Sequence, residues 1–266
     1  MGNPTYQGSV ASLPFSSLGS RGQSPDQPPT RTGVDGFWDA IAIAPTIVAG
    51  DPLGLPPDSA DSRIDPNTST SPFAGVSSVR VSVPNVGDFL GSGAAISRRH
   101  ILTAAHVLDV ANEDGIVDPI PTEVTVNFNV GGNLTQTITA SQLQIFPDYA
   151  GFTNTFSNDL AIITLSSDLP DTVPIYQLHR EALLPGSVIT MVGYGTSGNG
   201  ISGFEFGTAS LSTKRVGYNV VEDFSLLPGD FGDIFLYDFD GPDSSTNLFG
   251  AIGSGQTLGN DIEANV

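Results

Sequence analysis

Three histidines stand in the 266 residues, and one of them has a setting unlike the other two. His106 closes the stretch "HILTAAH", directly behind a β-like apolar run and the small pair Ala104-Ala105. An imidazole titrates with an ordinary pKa of about 6.5, so it can take up and return a proton at neutral pH. Two alanines before it leave room for other side chains to approach the ring. His100 and His179 have no comparable context and read as surface residues. A second group with chemical potential follows at once: "DVANEDGIVD", residues 109–118. Here Asn112, Asp114 and Asp118 flank Gly115 at offsets that partly suit an oxygen-lined Ca²⁺ loop. Val110 occupies the first ligand position, however, and no closing Glu follows. The alternative for this stretch is a solvated acidic turn. "DFDGPD", residues 238–243, is a weaker candidate of the same kind.

These groups need a scaffold, and composition narrows it. With 31 Gly, 20 Pro and only 14% charged residues, the chain suits many short strands joined by turns. Its length allows one large all-β unit or two modest domains. The net charge of −19, with nine Lys and Arg, leaves no basic footprint for nucleic acid or an anionic membrane surface. There are no cysteines, which excludes disulfides, thiolate metal sites and a Cys nucleophile. No apolar run reaches the roughly 18 residues that span a bilayer. The N-terminus lacks the basic start and apolar core of a signal peptide. "AIAIAPTIVAG", residues 40–50, reads as a buried or linking segment, or as the tail of a signal segment behind a misplaced start.

Along the chain, residues 1–46 are rich in Pro, Gly and Ser and read as disordered. Residues 47–72 form a loop-rich lead-in. Order is expected near Phe73. "GVSSVRVSV", "GAAIS", "HILTAAHV", "EVTVNFNV" and "LTQTITA" read as strands, the last two joined in a hairpin at Gly131-Gly132-Asn133. "DLAIITL" is a continuous apolar run, as expected of a strand buried on both faces. This gives a first unit over 73–170 and a Pro-rich connection over 171–187. A second strand-rich unit over 188–266 contains "SVITMVGYG", "GTASLSTKRVGYNVV" and "DIFLYDFD". Little helix is expected anywhere.

Five segments, in order and at fitting spacing, now resemble one family. "ILTAAHV" is similar to the histidine motif of the trypsin/chymotrypsin-like serine peptidases, and "NDLAIITL" to their aspartate motif. "VGYGTSG" resembles the turn early in their second barrel, "SPFAGVSSVRV" their first barrel strand, and "IVAG" (47–50) the mature N-terminus of activated members. The resemblance runs from about residue 47 onward. It implies an all-β fold of two antiparallel β-barrels with the active site between them. It implies His106 as general base and Asp159 as the carboxylate that fixes its tautomer and stabilises the imidazolium, the mechanism being the family's own. It also implies protein or peptide substrates, no required cofactor, and a secreted or extracytoplasmic setting. Gly193 and Gly195 read as structural, permitting a tight bend.

The sequence departs from the family where the nucleophile belongs. The Gly-Asp-Ser-Gly-Gly string, whose glycines let two N–H groups face an oxyanion, does not occur. "PGDFG" (228–232) has Phe231 after Gly-Asp, and Ser244 in "GPDSST" follows Asp243 but precedes no glycine, so it reads as a turn. The expectation is a chain truncated before its catalytic serine, with an incomplete second barrel, inactive as given and loose in its C-terminal half. The competing reading is a non-catalytic double-barrel binding or surface module. Val107 stands where many animal relatives carry a cysteine, which suggests a bacterial-type, disulfide-free member. Cleavage after Thr46 would free Ile47 for the family's activating ion pair; an uncleaved linker is the alternative.

Overall fold

The computed structural model describes residues 46–55, 57–112, 114–151, 158–224 and 234–237. Thirteen strands occur among them, and the only helical pieces are two one-turn 3-10 helices, Ala105–Val107 and Pro121–Glu123. Among the described residues the expectation of little helix is met.

Six strands close a barrel. They are β2 (Val76–Val83), β3 (Gly87–Ala95), β4 (His100–Thr103), β5 (Val124–Phe128), β6 (Gln136–Ile145) and β7 (Ala161–Leu165). Their order around the barrel is β2-β3-β4-β7-β6-β5, every pair antiparallel. Closure removes the free edges that an open sheet of this composition would present. The interior is a single apolar cluster containing Val79, Val81, Ile101, Val126, Phe128, Ile163 and Leu165, all fully buried. These positions follow the two-residue period of strands that turn one face inward.

Two local expectations need adjustment. The run at β7 is not buried on both faces, because Ile162 and Thr164 are only half-buried between Ala161, Ile163 and Leu165. A barrel strand has an inside and an outside, and its outer face here receives partial cover. "HILTAAHV" is not one strand either. It pairs only to Thr103, then turns into the helix that holds His106. The hairpin expected at Gly131 is present, with Phe128 opposite Gln136 and Gly131 at φ +82°.

The second half is built from β8 (Val188–Gly193), β9 (Thr196–Asn199), β10 (Gly203–Glu205), β11 (Arg215–Val220), β12 (Asp223–Phe224) and β13 (Phe235–Leu236). β8 pairs with β11, β12 with β13, and β9 lies between β10 and β1 (Thr46–Ala49). Among the described residues these strands do not close a second barrel. Of "GTASLSTKRVGYNVV" only Arg215–Val220 is strand.

Between β1 and β2 the described chain is loop-like, yet pinned at two buried ion pairs. Asp58 receives the Arg63 guanidinium, the Gly50 N–H (2.7 Å) and the Ser62 hydroxyl (2.9 Å). Asp65 meets Lys214, whose ammonium is fully buried and also donates to Phe73 O (2.7 Å) and Asn129 Oδ1 (3.1 Å). Ile47 is 4% exposed and sits inside β1, where Thr46 is the first paired residue. The two halves also meet at Tyr194. Its N–H donates to Ser92 Oγ of β3 at 3.0 Å, and its side chain is fully buried. Gly193 serves that approach: a Cβ there would stand 3.1 Å from Ser92 Oγ. Its role is close contact between halves more than bending.

Candidate active site

The site begins with one strand pair. β4 and β7 run antiparallel with Thr103 opposite Ala161. Going forward from Thr103 and backward from Ala161 leaves the barrel at the same end. Three residues on lies His106, and two residues back lies Asp159. The barrel register thus brings together two residues 53 apart in sequence.

The backbone at both places is shaped to turn the side chains toward each other. Behind Thr103 the chain tightens into the one-turn helix, with Leu108 N–H donating to Ala105 O at 2.8 Å. Thr103 Oγ1 ties the turn to β3 through Ser92 O at 2.8 Å. On the other side Asn158 takes the left-handed conformation (φ 64°), which Asn tolerates better than most residues. Leu160 N–H then donates to Asn158 O at 2.7 Å, and the turn delivers Asp159 to the barrel end.

Asp159 holds His106 twice. Its Oδ2 lies 2.5 Å from the ring Nδ1, and its Oδ1 accepts the His106 backbone N–H at 2.9 Å. Both side chains are well buried, at 5% and 7% exposure. A carboxylate on Nδ1 makes that nitrogen the donor and leaves the basic lone pair to Nε2. Fixing the backbone N–H with the second oxygen also fixes where the ring starts. The pair is therefore oriented before any third group arrives.

Small residues surround it, as the sequence suggests, although the reason is more specific. Ala105 is fully buried in the barrel core, so its size serves the core. Room beside the helix comes instead from Gly91, where a Cβ would fall 2.8 Å from Val107 Cγ1. Val107, at the position where the resemblance places a cysteine in animal relatives, packs its methyls onto that glycine.

The other sequence candidates separate from this site. His100 and His179 are exposed, His100 bonded to Ser97 Oγ at 2.7 Å. Asn112, Asp114 and Asp118 lie in the loop that follows the His106 helix. Ser244, residues 228–232 and residues 238–243 lie outside the described residues. Sequence reasoning missed Asn158, whose type and place before an apolar strand are a turn signal. It also missed Ser92, which no motif marks.

The family model for trypsin matches residues 68–216 of the chain. The match covers more than half of the sequence and contains both His106 and Asp159: this chain belongs to the trypsin family. Among solved structures, it is similar to GrC at 17% identity and TM-score 0.46, covering 60% of this chain and 64% of that one. It is also similar to neuropsin, a serine protease expressed in the limbic system of mouse brain, at 18% identity and TM-score 0.46. That match covers 67% of this chain and 74% of neuropsin. No curated protein matches the chain.

Among the described residues no helix is long and apolar enough to cross a membrane.

Proposed function

We propose that these residues carry the base and the orienting carboxylate of a serine endopeptidase acting on proteins or peptides. The observation that carries the reading is the His106–Asp159 contact, 2.5 Å from ring nitrogen to carboxylate and buried on both sides. A serine hydroxyl becomes a useful nucleophile only when a base takes its proton as it attacks. His106 is the base, through Nε2. The imidazolium formed is stabilised by Asp159, and the same nitrogen later returns the proton to the leaving amine. The bond that forms is from serine oxygen to acyl carbon; the one that breaks is the peptide C–N. Water then hydrolyses the acyl-enzyme, with His106 again taking the proton.

No serine in the 266 residues stands in a Gly-Asp-Ser-Gly-Gly string. We therefore assign the nucleophile to none of them, Ser244 included, and expect this stretch alone not to hydrolyse peptides. An extracytoplasmic setting accords with the family.

The test has two arms. A fluorophosphonate probe should leave the 266-residue chain unlabelled; stoichiometric labelling at one serine overturns the assignment of the nucleophile. The second arm uses the gene's reading frame. A product that contains this chain and the serine string should hydrolyse casein, and His106→Ala should lower the rate by about 10⁴-fold or more. A fully active His106→Ala enzyme would overturn the assignment of the base; a frame with no such string, and a chain that folds and stays inert, would favour the binding-module reading.

A further inference from the structure

Two residues beyond the helix that holds His106, the chain enters the loop 109–118. This loop contains four acidic residues and no Lys or Arg. Its first residue differs from the rest. Asp109 is 1% exposed, while Asn112 and Asp114 are exposed and Asp118 is half-buried. The Gly115 N–H donates to Asp109 Oδ2 at 2.8 Å and so turns the carboxylate into the loop. Its Oδ1 has no hydrogen-bond partner among the described residues. No Lys, Arg or His among them makes an ion pair with it.

A buried carboxylate in this condition is unfavourable. Burial is the largest influence raising its pKa; the neighbouring charges of Asp118 and Asp114 add to it, and the backbone N–H groups of Gly115 and Asp114 only partly compensate. Buried charges in folded proteins are paired or coordinate a cation. A hydrogen-bonded counter-ion is what this one lacks. Gly115 is at φ +86°, and a Cβ there would press within 2.9 Å of Tyr149 O, so the loop needs a glycine at its sharp turn. Around the turn, Asp114 Oδ1 accepts from Ile116 N–H (3.0 Å) and Asp118 Oδ2 from Ala111 N–H (2.7 Å).

We propose that the loop 109–118 binds one Ca²⁺ ion, with Asp109 as the buried ligand and Asn112, Asp114 and Asp118 closing over it from the solvent side. The sequence obscures this because Val110 stands at the expected first position. Asp109, one residue earlier, takes that place. Among the described residues no three His, Cys, Asp or Glu side chains already converge as a finished metal cage. Binding therefore has to draw the exposed ligands inward. An all-oxygen, adjustable ligand set of this kind suits Ca²⁺ over Mg²⁺, which demands near-octahedral geometry and keeps its waters. The ion would steady the ground beneath the candidate active site. Asp109 N–H donates to Ala105 O (3.1 Å), and Asp118 N–H to Leu108 O (2.9 Å), so both ends of the loop are fastened to the His106 helix or the residue that caps it.

The test uses the full 266-residue chain, stripped with a chelator, at fixed ionic strength. Calorimetric titration with CaCl₂ should give one site with a Kd on the order of 10⁻⁴–10⁻³ M or tighter. Ca²⁺ at ten times that Kd should raise Tm by roughly 3–6 °C, and MgCl₂ at the same concentration by much less. Asp109→Asn should abolish the binding heat while raising Tm in chelator, because it removes an uncompensated charge. Asp118→Asn, on the accessible side, should weaken binding at least tenfold and serves if Asp109→Asn does not fold. The proposal is overturned if no heat appears up to about 10 mM Ca²⁺. Unaltered binding in folded Asp109→Asn or in Asp118→Asn overturns it equally, since the ion would then sit on other carboxylates.

Discussion

Thr103 and Ala161 face each other across the β4–β7 ladder, and that register delivers His106 to Asp159. The candidate site is therefore a product of strand pairing in one barrel. It needs no contribution from the second half for its two members to meet. A one-residue slip of β7 would exchange its inward and outward residues, burying Ile162 and Thr164 and exposing Ile163. The apolar core thus enforces the geometry of the site.

The dyad makes a spectroscopic prediction that does not depend on catalysis. A ring N–H held 2.5 Å from a buried carboxylate oxygen is strongly deshielded and protected from exchange. Proton NMR of the chain with ¹⁵N-labelled histidine should show one far-downfield imidazole N–H. Asp159→Ala should remove it, while His100→Gln and His179→Gln leave it in place. The same Asp159→Ala change also frees the His106 backbone N–H, and stability should fall by about 1–3 kcal/mol. A downfield signal that survives Asp159→Ala would show that another group holds the ring.

How much of this was legible in the sequence depends on the range of the interaction. His106 and Asp159 were legible because each sits in a local motif, and the order of motifs carries the fold. The barrel strands were legible where alternation was clear, as at β2 and β5. β3 was only half visible: "GAAIS" shows its end, but its paired length begins at Gly87, and the polar and glycine residues of "GDFLGS" conceal the earlier part. Lys214 could not be read as a core residue at all. A lysine between Thr213 and Arg215 looks like surface, and only the fold reveals Asp65, 149 residues earlier, as its buried partner. Asp109 was hidden for a different reason: a one-residue change in spacing breaks the motif while leaving the loop able to turn.

Gly91 and Val107 allow a test of packing beside the site. A methyl at residue 91 would lie 2.8 and 2.9 Å from the two Val107 methyls, closer than side chains tolerate. Valine is stiff at χ1 and both residues are buried, so the contact cannot be relieved by a simple rotation. Gly91→Ala should cost about 1–3 kcal/mol through overpacking. Val107→Ala, by leaving a cavity, should cost a similar amount, about 1–3 kcal/mol. The double variant should be more stable than the sum of the two costs predicts, by at least about 0.5 kcal/mol, because the added methyl fills the vacated space. Denaturant unfolding of the four proteins gives the coupling; strict additivity would show that the two positions do not share this space.

Asp58 makes the pH dependence of the lead-in predictable. Burial acts to raise its pKa, but the Arg63 side chain, the Gly50 N–H and the Ser62 hydroxyl together outweigh burial and hold the carboxyl below its ordinary value. The sign follows from proton counting. Between the lowered folded pKa and the ordinary unfolded value of about 3.9, the unfolded chain binds more protons. Asp58 therefore contributes stability that is fully present above about pH 4 and is lost as pH falls through its folded pKa. Asp58→Asn should flatten that part of the Tm-versus-pH curve. At neutral pH it should cost about 3–5 kcal/mol, since the largely buried Arg63 loses its partner. The double variant Asp58→Asn, Arg63→Met should recover part of that loss and stay flat in acid. Amide exchange at Gly50, whose N–H points at Asp58 Oδ2, locates the effect: its protection, taken relative to the intrinsic exchange rate at each pH, should fall in Asp58→Asn and, for the wild-type chain, on acidification. If Gly50 exchange is unchanged in Asp58→Asn while global stability falls, the carboxylate acts on the barrel as a whole and does not fasten β1 in place.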